Sequence, residues 1–255
     1  MTRFVGILSG KGGVAKTTTT VNLGAALNFF GRDVTVIDGN LSTPNLGLHL
    51  GVPVVPISLH DALKGKHSIV ESMYKHGSGL KVIPASLSLL DLKDVAPSKL
   101  SKILPSLDGL TDVVLIDGAP GLGSEAMAVV KAVDEVIVVT NPEMPAVTDA
   151  LKISKLAEEM GKTVRGIVLT KTGGDYDLSM GDVEKMIERP VLAVIPYDKA
   201  IRESLIKKDP VIYTNPKSKS SIGYKKLAAS LIGVEFDESV EGKFSSFLRR
   251  VGLKG

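Results

Sequence analysis

Residues 4–9, F-V-G-I-L-S, run directly into G-K-G-G-V-A-K-T-T at Gly10–Thr18. No other stretch constrains the fold as much. A short, near-continuous apolar run reads as a strand covered on both faces. The small residues after it allow a tight turn, and Lys16–Phe30 reads as a helix. Strand, Gly-rich loop and helix in this order form the setting of a phosphate-binding loop. There, inward-turned backbone N–H groups and a helix N-terminus hold phosphate oxygens. In that setting Lys16 reaches the β- and γ-phosphates and the Thr17 hydroxyl ligates Mg²⁺. Gly12, Gly13, Val14, Ala15 and Thr18 complete the cradle. Ala15 stands where the plain motif has glycine. Alanine lacks glycine's freedom at positive φ, so the backbone there is expected in an ordinary region.

Further strands are expected at Val34–Asp38, Leu80–Pro84, Val113–Asp117, Val136–Thr140, Val164–Thr170 and Val191–Ile195. Helical stretches fall between them, at Ser124–Ala132, Ala146–Met160 and Lys217–Ile232. Alternation of this kind predicts an α/β fold with a single doubly wound, mostly parallel sheet. The length of 255 residues accommodates one such domain, and 44% apolar with 23% charged residues is ordinary for a globular chain. The expected organisation is an α/β domain over 1–233, an acidic linker over 234–242 and a basic tail over 243–255. Ligands of doubly wound sheets sit at the carboxyl ends of the strands. Asp38 ends the second run and is directed at the phosphate site. D-V-V-L-I-D ends in Asp117, a Walker B pattern, and Gly118–Gly121 would line the γ-phosphate side. Asp38, Asp117 and Thr17 are the candidate Mg²⁺ ligands.

The string K-G-G-V-A-K-T-T resembles the deviant phosphate loop of the MinD/ParA family, and the resemblance extends over most of the chain. It implies an ATPase in which Lys11 reaches the partner's nucleotide across an ATP-sandwich homodimer. Family members usually carry D-x-D after the second strand, and the second Asp positions the attacking water. This chain has Asn40, which orients water but accepts no proton, so hydrolysis is expected to be slow. Asn40 alternatively serves as a turn residue over Leu41–Asn45. The family reads the base with an Asn at the position of Thr170, followed here by Lys171, and with the loop Ile195-Pro196-Tyr197-Asp198. Adenine recognition follows from the resemblance; no guanine-reading N-K-x-D motif is visible.

In the tail, Phe244, Phe247, Leu248 and Val251 recur at helical spacing, while Lys243, Arg249, Arg250 and Lys254 add positive charge. A basic, Phe-bearing amphipathic segment suits an anionic membrane surface, and this one resembles the MinD-type targeting tail. The other reading is a helix docked on its own domain. The resemblance therefore implies a membrane-cycling regulator that positions division or surface machinery with a protein partner. The alternative is a ParA-like partition ATPase binding DNA non-specifically, with Lys217, Lys219, Lys225 and Lys226 as its patch. The absence of cysteine excludes disulfides and a Cys-held cluster. No signal-peptide layout and no ~20-residue apolar run are present. The expected location is the cytoplasm, peripherally on the inner face of the membrane.

Overall fold

Among the described residues, eight strands build one sheet in the order β3-β4-β2-β5-β1-β6-β7-β8. They are β1 (Arg3–Leu8), β2 (Val34–Gly39), β3 (Tyr74–Lys75), β4 (Lys81–Ile83), β5 (Val113–Gly118), β6 (Glu135–Thr140), β7 (Thr163–Thr172) and β8 (Val191–Pro196). Pairing is parallel throughout, except that the short edge strand β3 runs antiparallel to β4. Every residue of β2 and β5 is buried, as the unbroken apolar runs require of strands covered on both faces. The computed structural model describes residues 1–236. The tail, with Phe244, Phe247, Leu248, Arg249, Arg250 and Val251, lies outside them, as does the linker from residue 237 onward.

The helices are α1 (Lys16–Phe29), α2 (Leu46–His49), α3 (Leu59–Lys64), α4 (Leu100–Ile103), α5 (Ser124–Ala132), α6 (Met144–Glu159), α7 (Met180–Ile187), α8 (Lys199–Lys207), α9 (Val211–Thr214) and α10 (Lys219–Ile232). They cover the two faces of the sheet over two separate cores. Side chains of α3 to α7, such as Leu63, Leu100, Val129, Ile153 and Ile187, form one. Side chains of α1, α2, α9 and α10, such as Leu23, Leu46, Ile212 and Leu227, form the other. Helix α1 is buried along most of its length, which fixes its N-terminus at the end of β1. Among the described residues no helix is long and apolar enough to cross a membrane.

The strand expectations are met within one or two residues at most ends. Helices α7 and α8, the four-residue helices and the β3 edge were not foreseen, being short or weakly periodic. The Lys217–Lys226 patch needs a correction. Lys225 is fully buried, donates from Nζ to the Pro216 carbonyl at 3.1 Å and stands 4.7 Å over the Phe29 ring. It lies on the inner face of α10, where the packing of Tyr224 and Leu227 turns it away from solvent.

Gly10 is where α6 crosses the start of the loop. A Cβ there would run into the backbone of Asp149. Gly10→Ala is expected to cost about 3 kcal/mol, the upper end of overpacking penalties, because backbone cannot step aside as a side chain can. A urea unfolding midpoint checks this; an unchanged midpoint would mean that α6 is not packed as described.

Candidate functional site

Strands β2, β5 and β1 end side by side, with Asp38 in register with Asp117 and Asp117 with Ile7. Both carboxylates are fully buried there. Lys16, at the first position of α1, brings Nζ to 2.7 Å from Asp117 Oδ1. The Thr17 hydroxyl donates to Asp117 Oδ2 at 2.5 Å. Thr20 adds its hydroxyl 3.3 Å from Asp117 Oδ1. Residues 101 apart in sequence thus converge because β5 adjoins β1 and α1 begins where β1 ends. A buried pair of this kind tolerates the loss of neither partner, since an uncompensated buried charge costs about 3–5 kcal/mol.

The loop before α1 turns its amides inward by alternating handedness. Gly13 has φ 81°, and Ala15 has φ 63° with ψ 31°. The ordinary conformation expected of Ala15 is therefore overturned. The chain must reverse sharply to enter α1, and the left-handed region, though costly for a residue with a Cβ, accomplishes it. Successive residues of opposite hand form a concave nest of N–H groups that suits an anion. No side chain caps α1, whereas Ser179, Asp198 and Ser218 cap α7, α8 and α10 with their own oxygens. The first-turn N–H groups of α1 face a cleft of about 540 Å³. It is lined by Gly12, Gly13, Ala15, Lys16, Thr17 and Thr18 on one side, and by Pro196, Tyr197 and Asp198 on another.

Asp38 and Asn40 sit differently from a free ligand pair. Asp38 Oδ2 accepts the backbone N–H groups of Asn45 and Leu46 at 3.0 and 2.9 Å, and Oδ1 accepts that of Asn40 at 3.3 Å. It ties down the segment entering α2. Burial, and then the Asp117 carboxylate beside it, push Asp38 up to about 7, against the opposing pull of these hydrogen bonds and of Lys16. Asn40 donates its amide to the Thr43 carbonyl at 2.7 Å and accepts from the Thr43 hydroxyl at 3.1 Å. Its side chain is thus engaged in a turn, while the residue still lines the cleft.

The residues read from sequence as base contacts, Thr170, Lys171, Ile195, Pro196, Tyr197 and Asp198, all line the cleft, and the first two also brace the phosphate loop. The Thr170 hydroxyl lies 2.7 Å from the Val14 carbonyl and 3.0 Å from Asn141 Oδ1. Lys171, at φ 57°, donates from Nζ to the Gly13 carbonyl at 2.7 Å. Asp198 accepts from the backbone of Ala200 and from both the backbone and hydroxyl of Ser220. Burial works against its ionised form, but these bonds hold it below the usual carboxylate range. The wall beyond is formed by Tyr197 and by Ile201, Arg202 and Leu205 of α8, with the Arg202 guanidinium 5.8 Å from the Tyr197 ring centre. His49 of α2 also lines the cleft; Nδ1 donates to the Asn45 carbonyl at 2.9 Å, and Nε2 sits 3.4 Å from the Thr18 hydroxyl. Burial keeps this imidazole below its ordinary pKa. Lys11 stands apart, half-exposed, 3.7 Å from Glu143.

Sequence reasoning missed His49, Asn141 and α8. The Asp at 198 ahead of Lys199–Lys207 was a readable helix N-cap signal. His49 and Asn141 gave none, since only tertiary approach makes them neighbours of the loop. For a divalent cation the donors are oxygens, Thr17 and Asp117, already in contact. No group of three or more His, Asp or Glu among the described residues forms a cage by itself. Such a set fits Mg²⁺, which takes one or two protein oxygens together with substrate phosphates.

Comparison with known proteins agrees with this geometry. The family model for the CobQ/CobB/MinD/ParA nucleotide binding domain matches residues 5–211. An uncharacterized ATP-binding protein of Methanocaldococcus jannaschii is 33% identical over 252 residues, 98% of this chain and 95% of its own. The cell division ATPase MinD of Pyrococcus furiosus superposes with a TM-score of 0.89 at 36% identity, over 91% of this chain and 99% of that one. The septum site-determining protein MinD of Pyrococcus horikoshii, complexed with Mg-ADP, gives 0.88 at 36% identity, over 91% and 96%.

The raised Asp38 gives a pH signature. Unfolded, an aspartate ionises at about 3.8; folded, this one does so at about 7. Between these values folding takes up a proton, so the group's contribution to stability falls as pH rises through the window. The low imidazole of His49 acts in the opposite direction below its ordinary pKa, so the comparison must be with Asp38→Asn in the same chain. The unfolding free energy of the wild type relative to Asp38→Asn is expected to decline from about pH 5 to about pH 8 in urea titrations. A pH-independent difference would show that Asp38 is ionised throughout.

Proposed function

We infer that this chain, which belongs to the CobQ/CobB/MinD/ParA nucleotide-binding family, is an Mg-ATP-dependent switch. It closes ATP between two copies, hydrolyses it slowly, and cycles on and off an anionic membrane to position surface or division machinery. The observation that carries the nucleotide reading is the buried Lys16–Asp117–Thr17 cluster beneath an uncapped helix N-terminus. Phosphate oxygens would take the N–H groups of the loop and the charge of Lys16, which then leaves Asp117. Thr17 and Asp117 would hold Mg²⁺, which offsets phosphate charge. The cluster so becomes competent through an exchange of partners, with little movement of backbone.

Lys11 supports the two-copy reading. Its ion pair with Glu143 is long and exposed, and pairs of that kind contribute little. The ammonium is therefore inexpensive to hand to a phosphate on a facing copy. Slow turnover is consistent with Asn40. Its amide is shared with Thr43, and an amide accepts no proton from water. Hydrolysis then rests on positioning and charge neutralisation.

The membrane limb rests on the sequence of residues 243–255. One short amphipathic anchor binds weakly, and two on a closed dimer gain through effective concentration. A regulatory protein partner that accelerates hydrolysis would set the time spent on the surface. The DNA-partition reading retains Lys217, Lys219 and Lys226 as exposed cations but loses Lys225 to the interior.

Two outcomes follow. Lys11→Ala is expected to keep ATP affinity within about threefold while abolishing the ATP-induced mass doubling seen by light scattering, because a transferred exposed lysine adds charge only across the interface. Doubling that survives the substitution would remove Lys11 from that role. The full chain is expected to pellet with anionic liposomes in ATP but not ADP, and a chain ending at Glu241 in neither. Indifference to liposomes in every nucleotide state contradicts the membrane limb and shifts attention to DNA binding across a salt series.

A further inference from the structure

The segment carrying Asn40 is held from two directions. Asp38 takes the N–H groups of Asn40, Asn45 and Leu46 at its two ends. The middle is held by α5, on the side of the sheet where Leu41 packs. Glu125, in the first turn of α5, accepts the backbone N–H of Leu41 at 2.8 Å on Oε2 and that of Ser42 at 3.3 Å on the same oxygen. Its Oε1 accepts the Ser42 hydroxyl. Three donors from two consecutive residues thus converge on one carboxylate, 83 and 84 positions away in sequence.

We infer that Glu125 is a positioning residue for the reaction proposed above, strapping the 40–46 segment to α5 so that Asn40 keeps its place relative to the loop after β5. The inference rests on that functional reading. Both bodies it joins border the cleft. Residues 119–123 connect β5, whose Asp117 anchors Lys16 and Thr17, to α5, and Pro120 lines the cleft. This connection is itself fastened to the end of β1, where the Gly121 N–H donates to the Ser9 carbonyl at 2.9 Å. Asn40, Thr43 and Asn45 line the cleft from the other side. Leu41 points into the core, at 4% exposure, so its backbone N–H needs a protein acceptor and finds it in Glu125.

The strap matters because Asn40 cannot contribute chemistry as a base. What it offers is placement, and its own amide is committed to Thr43 within the same segment. Placement of the whole turn then depends on what holds the turn. A displacement of about 1 Å in a positioning group far from the reacting bond costs up to about 10²-fold in rate. The nucleotide cradle of Gly12 to Thr18 makes no contact with Glu125 among the hydrogen bonds described, so affinity for ATP is expected to be spared.

Glu125→Met keeps the length of the side chain and removes both acceptor oxygens, whereas an amide would still offer one oxygen to the two N–H groups. The full chain and this variant are compared in Mg-ATP turnover. The expected result is a fall in kcat of about tenfold with KM within about twofold, a fraction of the misplacement limit. Ser42→Ala, at an exposed position, removes the hydroxyl bond alone and is expected to lower kcat by a smaller factor in the same direction. It also provides the test if Glu125→Met fails to fold. An unchanged kcat in a folded, hydrolysing variant, or a KM that rises in step with the loss of kcat, overturns the inference. Hydrogen exchange of the same proteins decides independently of turnover. The Leu41 and Ser42 amides are expected to exchange faster in Glu125→Met while Asn45 and Leu46, held by Asp38, do not. Equal protection at Leu41 and Ser42 overturns the strap. A wild type without turnover refutes the functional reading instead, and the amides then decide the strap.

Discussion

A lysine and an aspartate facing each other in the dry end of a parallel sheet organise this protein. Lys16 and Asp117 are 7% and 0% exposed in their side chains, 2.7 Å apart. Two charges are tolerated in such a place only when each is the other's partner and further hydrogen bonds complete the set. Thr17 and Thr20 supply those bonds to Asp117. The arrangement requires that β5 lie beside β1, that α1 start at the end of β1, and that the loop between them turn back on itself. The left-handed Ala15 is part of that requirement. Strain at this residue is compensated by the long, buried body of α1, which fixes where the helix must begin.

Around this pair the neighbouring strands add braces more than reactive groups. The ends of β7 and β8 line the cleft, and there Thr170 and Lys171 also grip the carbonyls of Val14 and Gly13, while Asp198 fastens α8 to α10. Asp38 fastens the entrance to α2. The cleft is thus braced by hydrogen bonds on its phosphate side. Its far wall, with Tyr197, Ile201, Arg202 and Leu205, is built more from shape and apolar surface than from committed hydrogen-bonding groups. Binding would be governed by phosphate and metal, with the base held mainly by contact.

The sheet and the phosphate loop were legible because each was written locally. Unbroken apolar runs such as V-V-L-I-D-G mark strands covered on both faces, and the loop's small residues stand next to their own helix. The Asp117 role was legible only through its pairing with the loop. What remained hidden was set by approach between distant segments. Glu125 reads as an ordinary acidic residue in a helix's first turn until Leu41 and Ser42 arrive beside it. At the ends of β7 and β8 the residue types at 170 and 198 were likewise visible, but not the acceptors and donors already waiting for them. Ala15 failed for another reason, since a conformational preference of about 1 kcal/mol is easily overridden by a packed helix.

The central claim is that Asp117 holds Lys16 and Thr17 ready, then exchanges Lys16 for the metal when phosphate arrives. Calorimetric titration of ATP with and without Mg²⁺, in the wild type and in Asp117→Asn, tests it most directly. The account predicts that Mg²⁺ strengthens ATP binding to the wild type by at least about tenfold, a difference of about 1.4 kcal/mol, and that Asp117→Asn loses most of this gain. Equal affinity with and without Mg²⁺ in the wild type, or a gain that persists undiminished in Asp117→Asn, would contradict it.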